Sequence, residues 1–189
     1  DCNPKGSEWI LGGRGTRNNI LATPVVYDNK VFIGVGQDPE HGEAPGHFWV
    51  IDATGAGDVT DTNVVWHRGG TGFYRTMSTA AIDNGIVYIS SLSGFLHALD
   101  VETGEEFWTF DTFAAVWGSP FVADGKVYIG DEDGDVAVLR AGKELDELGE
   151  YNLGAAVYST AVARDGVLYF LTRNRVWALQ EGAQGQPLQ

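Results

Sequence analysis

Ser78-Thr79-Ala80-Ala81-Ile82-Asp83-Asn84-Gly85-Ile86-Val87-Tyr88-Ile89-Ser90 reads as a strand, a tight turn and a second strand. The turn residues Asp, Asn and Gly tolerate positive φ, and the flanks alternate apolar with small residues, a strong hairpin signal. The stretch returns three times. Ala22 to Gly34 carries Asp28-Asn29 at the turn, Gly118 to Gly130 carries Asp124-Gly125, and Ser159 to Leu171 carries Asp165-Gly166. With Thr23, Thr79, Ser119 and Thr160 as equivalents, the spacings are 56, 40 and 41 residues. Four-stranded blades repeat at roughly 40 to 50 residues, which points to a propeller. The first spacing exceeds the second by 16 (56 − 40), and the excess divides among turns, leaving the strands intact.

Outward from each hairpin a third strand follows: Phe48 to Ile51, Phe95 to Leu99, Val136 to Leu139 and Val176 to Leu179. A fourth is expected at Val64 to Trp66, Phe107 to Thr109 and Leu148 to Leu153. The last unit offers no fourth strand, and Glu144 to Leu148 is the one short helix-like stretch. The fold expected is therefore all-β: a partial or open β-propeller of about four four-stranded antiparallel blades. The blades fall at about 21–68, 77–112, 117–154 and 158–181 within a 1–182 propeller, with 183–189 as a tail. The 26 glycines and six tryptophans suit many tight turns and large flat packing surfaces.

The second unit continues Gly94-Phe95-Leu96-His97-Ala98-Leu99-Asp100-Val101-Glu102-Thr103-Gly104-Glu105-Glu106-Phe107-Trp108. This resembles the repeat of PQQ-like (quinoprotein-type) β-propellers, with Ala-x-Asp, then Thr-Gly, then Trp. The resemblance implies that Trp108 docks between neighbouring blades and that Asp100, Thr103 and Gly104 shape the turn beneath it. Asp52 and Trp66 match with an insertion. The third unit has Arg140 at the Asp position and no tryptophan, and the fourth has Gln180. Such rings hold about seven or eight blades, so the resemblance implies the C-terminal portion of a longer propeller. The remaining blades are expected from the parent chain or a homodimer. The start, Asp1-Cys2-Asn3-Pro4, reads as cut from something longer.

Quinoprotein dehydrogenases of this fold use an adjacent cysteine pair beside PQQ and a Ca²⁺ site. With Cys2 as the one cysteine, this chain is expected to bind neither PQQ nor Ca²⁺ and to be non-catalytic. The run Asp131-Glu132-Asp133-Gly134-Asp135 invites Ca²⁺, but its glycine falls fourth where an EF-hand loop needs it sixth. A solvated hairpin turn is the better reading. His41 and His47, with Asp38 and Glu43, could assemble a metal site in the 37–47 loop. His67 and His97 stand alone on expected strands. Ser78, Ser119 and Ser159 recur because the repeat recurs, and no Gly-x-Ser-x-Gly elbow is present.

A net charge of −14 repels phosphate backbones, so no nucleic-acid partner is expected. No apolar run is long enough to span a bilayer. In an up-and-down blade the second-to-third-strand turns share one end with the blade connections. That end would carry Phe73, Tyr74, Arg75, Phe113, Trp117 and Tyr158 among acidic side chains, a face suited to a protein partner or a small ligand. By resemblance the location is periplasmic or otherwise extracytoplasmic, and the role a binding or scaffold module; the alternative is part of a PQQ-dependent dehydrogenase.

Overall fold

Each of the four first-to-second-strand hairpins closes on two successive left-handed residues. These are Asp28-Asn29 (φ 45° and 56°), Asn84-Gly85 (47° and 78°), Asp124-Gly125 (51° and 66°) and Asp165-Gly166 (52° and 75°). That pair defines a type I′ turn, whose twist matches the strands it joins. The computed structural model describes Glu8, Ile10 and residues 17–37 and 45–185, and it builds one sheet on each hairpin.

Sheet 1 runs β1 (Val25–Tyr27), β2 (Lys30–Val35), β3 (Pro45–Asp52) and β4 (Val64–Tyr74). Sheet 2 runs β5 (Ala81–Asp83), β6 (Ile86–Ser90), β7 (Phe95–Asp100) and β8 (Glu106–Asp111). Sheet 3 runs β9 (Phe121–Ala123), β10 (Lys126–Gly130), β11 (Asp135–Arg140) and β12 (Glu147–Asn152). Sheet 4 has three strands: β13 (Val162–Arg164), β14 (Val167–Leu171) and β15 (Val176–Gln180). All neighbours are antiparallel and no sheet closes on itself. Among the described residues there is no helix; of the helix-like stretch, 144–146 is irregular chain and 147–148 begins β12. It follows that none of these residues forms a helix long and apolar enough to cross a membrane.

The fold is an open array of propeller blades. Strand alternation gives each sheet two faces, and each inner sheet is buried on both. Phe32, Phe48, Val50 and Trp66 of sheet 1 pack on Val87, Ile89 and Leu99 of sheet 2. The opposite face of sheet 2, with Tyr88, Leu96, Ala98 and Trp108, packs on Val127, Ile129 and Leu139 of sheet 3. Val136 of sheet 3 and Leu153, just past β12, meet Phe170 of sheet 4.

A second device joins the blades. Thr23 N–H donates to Thr79 Oγ1 (3.3 Å), Thr79 N–H to Ser119 Oγ (2.9 Å), and Ser119 N–H to Thr160 Oγ1 (3.1 Å). The recurring Ser and Thr thus form a one-way hydrogen-bond relay through all four blades. That relay is a structural reason for their recurrence.

One expected boundary moves. β4 reaches Tyr74 instead of stopping near Trp66, and a register shift near His47 accommodates the added length. Phe73, expected on a connecting loop, is 0% exposed in the first core cluster.

Candidate functional site

The residues of the Ala-x-Asp, Thr-Gly, Trp pattern turn out to be joints. Trp66 Nε1–H donates to Val101 O at 3.1 Å, and Trp108 Nε1–H to Gly142 O at 2.9 Å. Each indole therefore buries its ring and satisfies its one donor on the following blade. Gly104 (φ 71°) lies under the Trp66 ring, where a Cβ would sit 2.6 Å from Cε3. Asp100 Oδ1 accepts from Glu102 N–H (2.9 Å), Thr103 N–H (3.0 Å) and Thr103 Oγ1–H (3.1 Å), an Asx turn that shapes the seat. Asp52 does the same for Thr54, whose amide and hydroxyl hold the Asp52 carboxyl below the usual carboxylate range. The strand register places Gly149 opposite Val138, as Trp66 lies opposite Val50 and Trp108 opposite Ala98. The third blade has no indole to dock.

A second joint is polar. Arg68 Nη2 lies 2.8 Å from Glu106 Oε2, and Arg68 Nη1–H donates to Gly104 O at 3.2 Å. His97 Nδ1 lies 3.1 Å from the same Glu106 oxygen and 2.9 Å from Thr109 Oγ1, while its Nε2 is buried with no partner. Burial lowers the His97 pKa, outweighing the opposing Glu106 carboxylate.

The loop face assembles as a set of repeated contacts. Leu92 N–H donates to Arg75 O (2.9 Å), Glu132 N–H to Ala115 O (2.9 Å), and Arg173 N–H to Ala156 O (3.1 Å). Each second-to-third-strand turn is thereby tied to the connection entering its own blade. On this face Trp117 Nε1–H donates to Glu132 Oε2 at 2.7 Å, and the Trp117 and Tyr158 rings meet edge-on with centroids 5.7 Å apart. Tyr74 stacks on Phe95 at 5.8 Å. Phe113 projects into solvent with 90% of its surface exposed, and Tyr158 is 45% exposed. Of the six residues expected here, Tyr74, Arg75, Phe113, Trp117 and Tyr158 lie at this end. Phe73 points into the core and is withdrawn from any ligand. The part that Glu132 plays in holding Trp117 was not read from the sequence, because the two residues lie 15 apart on different loops.

The acidic run is a hairpin turn. Asp131 Oδ1 accepts from the amides of Asp133 and Asp135, both at 3.0 Å, and burial raises the Asp131 pKa. Of the metal-site candidates, Asp38, His41 and Glu43 lie outside the described residues. His47 is described and pairs with His67, Nδ1 to Nε2 at 2.9 Å. Their ring centroids are 5.1 Å apart with planes 21° from parallel, close to the full nitrogen separation plus two ring radii. The nitrogens therefore aim at each other in a head-on hydrogen bond, one donating and one accepting. A metal would need the two lone pairs to converge on a third point. Trp49 stacks on His67 at 3.7 Å. Burial lowers both histidine pKa values, aided at His67 by the neighbouring His47.

Among the described residues no group of three or more His, Cys, Asp or Glu could hold a metal ion. The one cysteine, Cys2, cannot supply an adjacent pair. Among the described residues there is thus neither the adjacent cysteine pair nor the ligand cluster that a quinone site with its Ca²⁺ would use.

Known proteins resemble this chain in sequence and in fold. The chain is 30% identical over 134 residues to quinohemoprotein alcohol dehydrogenase ADH-IIG of Pseudomonas putida, covering 63% of this chain and 17% of that protein. Among solved structures, BamB from Moraxella catarrhalis superposes with a TM-score of 0.62 at 19% identity, covering 84% of this chain and 42% of that one. The computationally designed Ika4 protein gives 0.60 at 18% identity, covering 88% of this chain and 95% of that one. These last two likenesses show the fold alone, and the chain spans less than a fifth of the length of its curated dehydrogenase relative. The family model described as outer membrane protein assembly factor BamB matches residues 49–188, the stretch holding the docked tryptophans and Asx turns, and the chain belongs to that family of PQQ-like β-propeller repeats.

Proposed function

We propose that this chain is a non-catalytic binding and scaffold module whose loop face recognises a partner protein in the bacterial envelope. The observation that carries this reading is Trp117, held by Glu132 at 2.7 Å and packed edge-on to Tyr158 at the exposed end of the blades. An aromatic already fixed by a polar neighbour loses little freedom on binding, which makes it an efficient anchor. The description of the matching family as an assembly factor supports a protein partner and an extracytoplasmic setting. The net charge of −14 suits a partner with a basic surface and opposes nucleic acid and anionic lipid.

Sheet 4 bears on the choice of partner too. Val176 takes the register position of Leu96 and Val136, yet it is 67% exposed where they are 0% and 2%. A further blade, from a longer parent chain or a second copy, belongs on that flank. The rival reading, a segment of a quinoprotein dehydrogenase, draws on the 30% identity to the Pseudomonas enzyme.

The two readings part in one experiment. A photo-crosslinking residue at Tyr158 should trap a discrete partner in cells, and the same residue at Asp124, in the turn at the opposite blade end, should not. Equal trapping at both positions, or PQQ- and Ca²⁺-dependent dye reduction by the purified protein with alcohols, overturns the proposal.

A further inference from the structure

The connections leaving β8 and β12 are one structure built twice. Thr112 N–H donates to Gly94 O at 2.9 Å, and Leu153 N–H to Gly134 O at 2.8 Å. One residue on, Phe113 N–H donates to Asp111 Oδ1 and Gly154 N–H to Asn152 Oδ1, both at 2.8 Å. The shared position needs a positive φ, 61° at Phe113 and 77° at Gly154. Glycine reaches that region freely, whereas a residue with a Cβ is strained there. The other non-glycine residues of positive φ among those described are Asp or Asn in hairpin turns, whose short polar side chains tolerate it. Phe113 is the exception. Its ring is not stored in the core either, being 90% exposed.

The repeat accepts glycine at this position, so neither backbone nor packing accounts for phenylalanine. A strained residue that also holds a phenyl ring in water marks a site whose benefit lies outside the chain. Beside the ring lies a groove of about 430 Å³, walled by Leu92, Phe95, Ala114 and Ala115 with Asp111 at its edge. Asp111 is the one carboxylate that lines this groove.

Resting on the loop-face reading above, we infer that Phe113 anchors a docking site for an extended segment of a partner protein. That segment seats an aliphatic side chain in the groove against the Phe113 ring and turns a Lys or Arg toward Asp111. The apolar walls select the first group, and the carboxylates of an acidic face select the second.

The probe is a random-peptide phage library panned on the immobilised chain, followed by titration of the leading peptide as a synthetic ligand. Enriched peptides should join a basic residue to an aliphatic one. Phe113→Gly should weaken the leading peptide about tenfold or more while raising Tm by about 2–4 °C, because strain is released. A phenyl ring with only a structural role would lower Tm on removal. Asp111→Asn retains the turn acceptor, as Asn152 does in the next blade, so it should weaken binding several-fold and flatten its salt dependence. No enrichment, enrichment of acidic peptides, or preferential binding to phosphatidylglycerol vesicles overturns the inference. If Phe113→Gly binds normally and Trp117→Ala does not, the loop-face function stands and the Phe113 anchor falls. If neither variant changes binding, both fall.

Discussion

At the scale of single residues, Gly104 and Gly125 separate two reasons for a glycine. Both have positive φ, 71° and 66°, but a Cβ on Gly104 would meet the Trp66 ring whereas one on Gly125 meets nothing within 4 Å. Gly125→Ala should therefore cost about 1 kcal/mol, the left-handed penalty alone. Gly104→Ala should cost about 1–3 kcal/mol more, because the indole must shift off its seat. Chemical denaturation of both variants checks this, and equal losses would mean that the Trp66 joint carries no strain. Asp100, Thr103, Gly104 and Trp108 were legible in the sequence because their contacts sit in one turn or recur at fixed offsets. Phe113 was legible as a candidate for the face. Its strained backbone was not, since φ depends on the loop closure that Asp111 and Gly94 impose.

At the scale of elements, the histidines tie stability to pH. His47, His67 and His97 all have pKa values held below the ordinary 6.5, chiefly by burial. A group depressed on folding binds fewer protons in the native state, so its contribution is whole above pH ~6.5 and is lost as pH falls toward the folded value. Asp131, raised by burial, acts in the opposite sense, but in the lower carboxylate range. Thermal midpoints should therefore be level above neutrality and decline between about pH 6.5 and 5. His97→Gln should shallow that decline, and a profile identical to wild type would remove His97 from the account. Glu106, which faces His97, is held, despite burial, below the usual carboxylate range by His97 and Arg68, so it stays ionised through this window and cannot produce the slope. Sequence patterning located the hairpins well because turn chemistry and period-two alternation are local. It missed the 47–67 imidazole pair, which exists only because β3 and β4 set those residues side by side. It also cut β4 short at Trp66, where the glycine-rich stretch at 69–72 reads as loop; Gly69 and Tyr74 pair with β3 on either side of a bulge that holds Gly70 at φ 71°.

At the scale of the whole molecule, each blade presents two unlike faces. The face bearing Trp66 or Trp108 always meets the next blade's Leu99 or Leu139 side. Sheet 4 keeps its donor face open at Val176, so the isolated chain should associate in a concentration-dependent way, with Val176→Glu abolishing the association. Light scattering across a dilution series checks this, and a monomer at every concentration would refute it. The Thr23–Thr79–Ser119–Thr160 relay gives that association a direction. Every link joins an amide on one blade to a hydroxyl on the next, so a copy that continues the relay adds head to tail. Contacts of that kind are heterologous. They end in a ring when the accumulated rotation completes a turn, and otherwise they continue as an open helical filament.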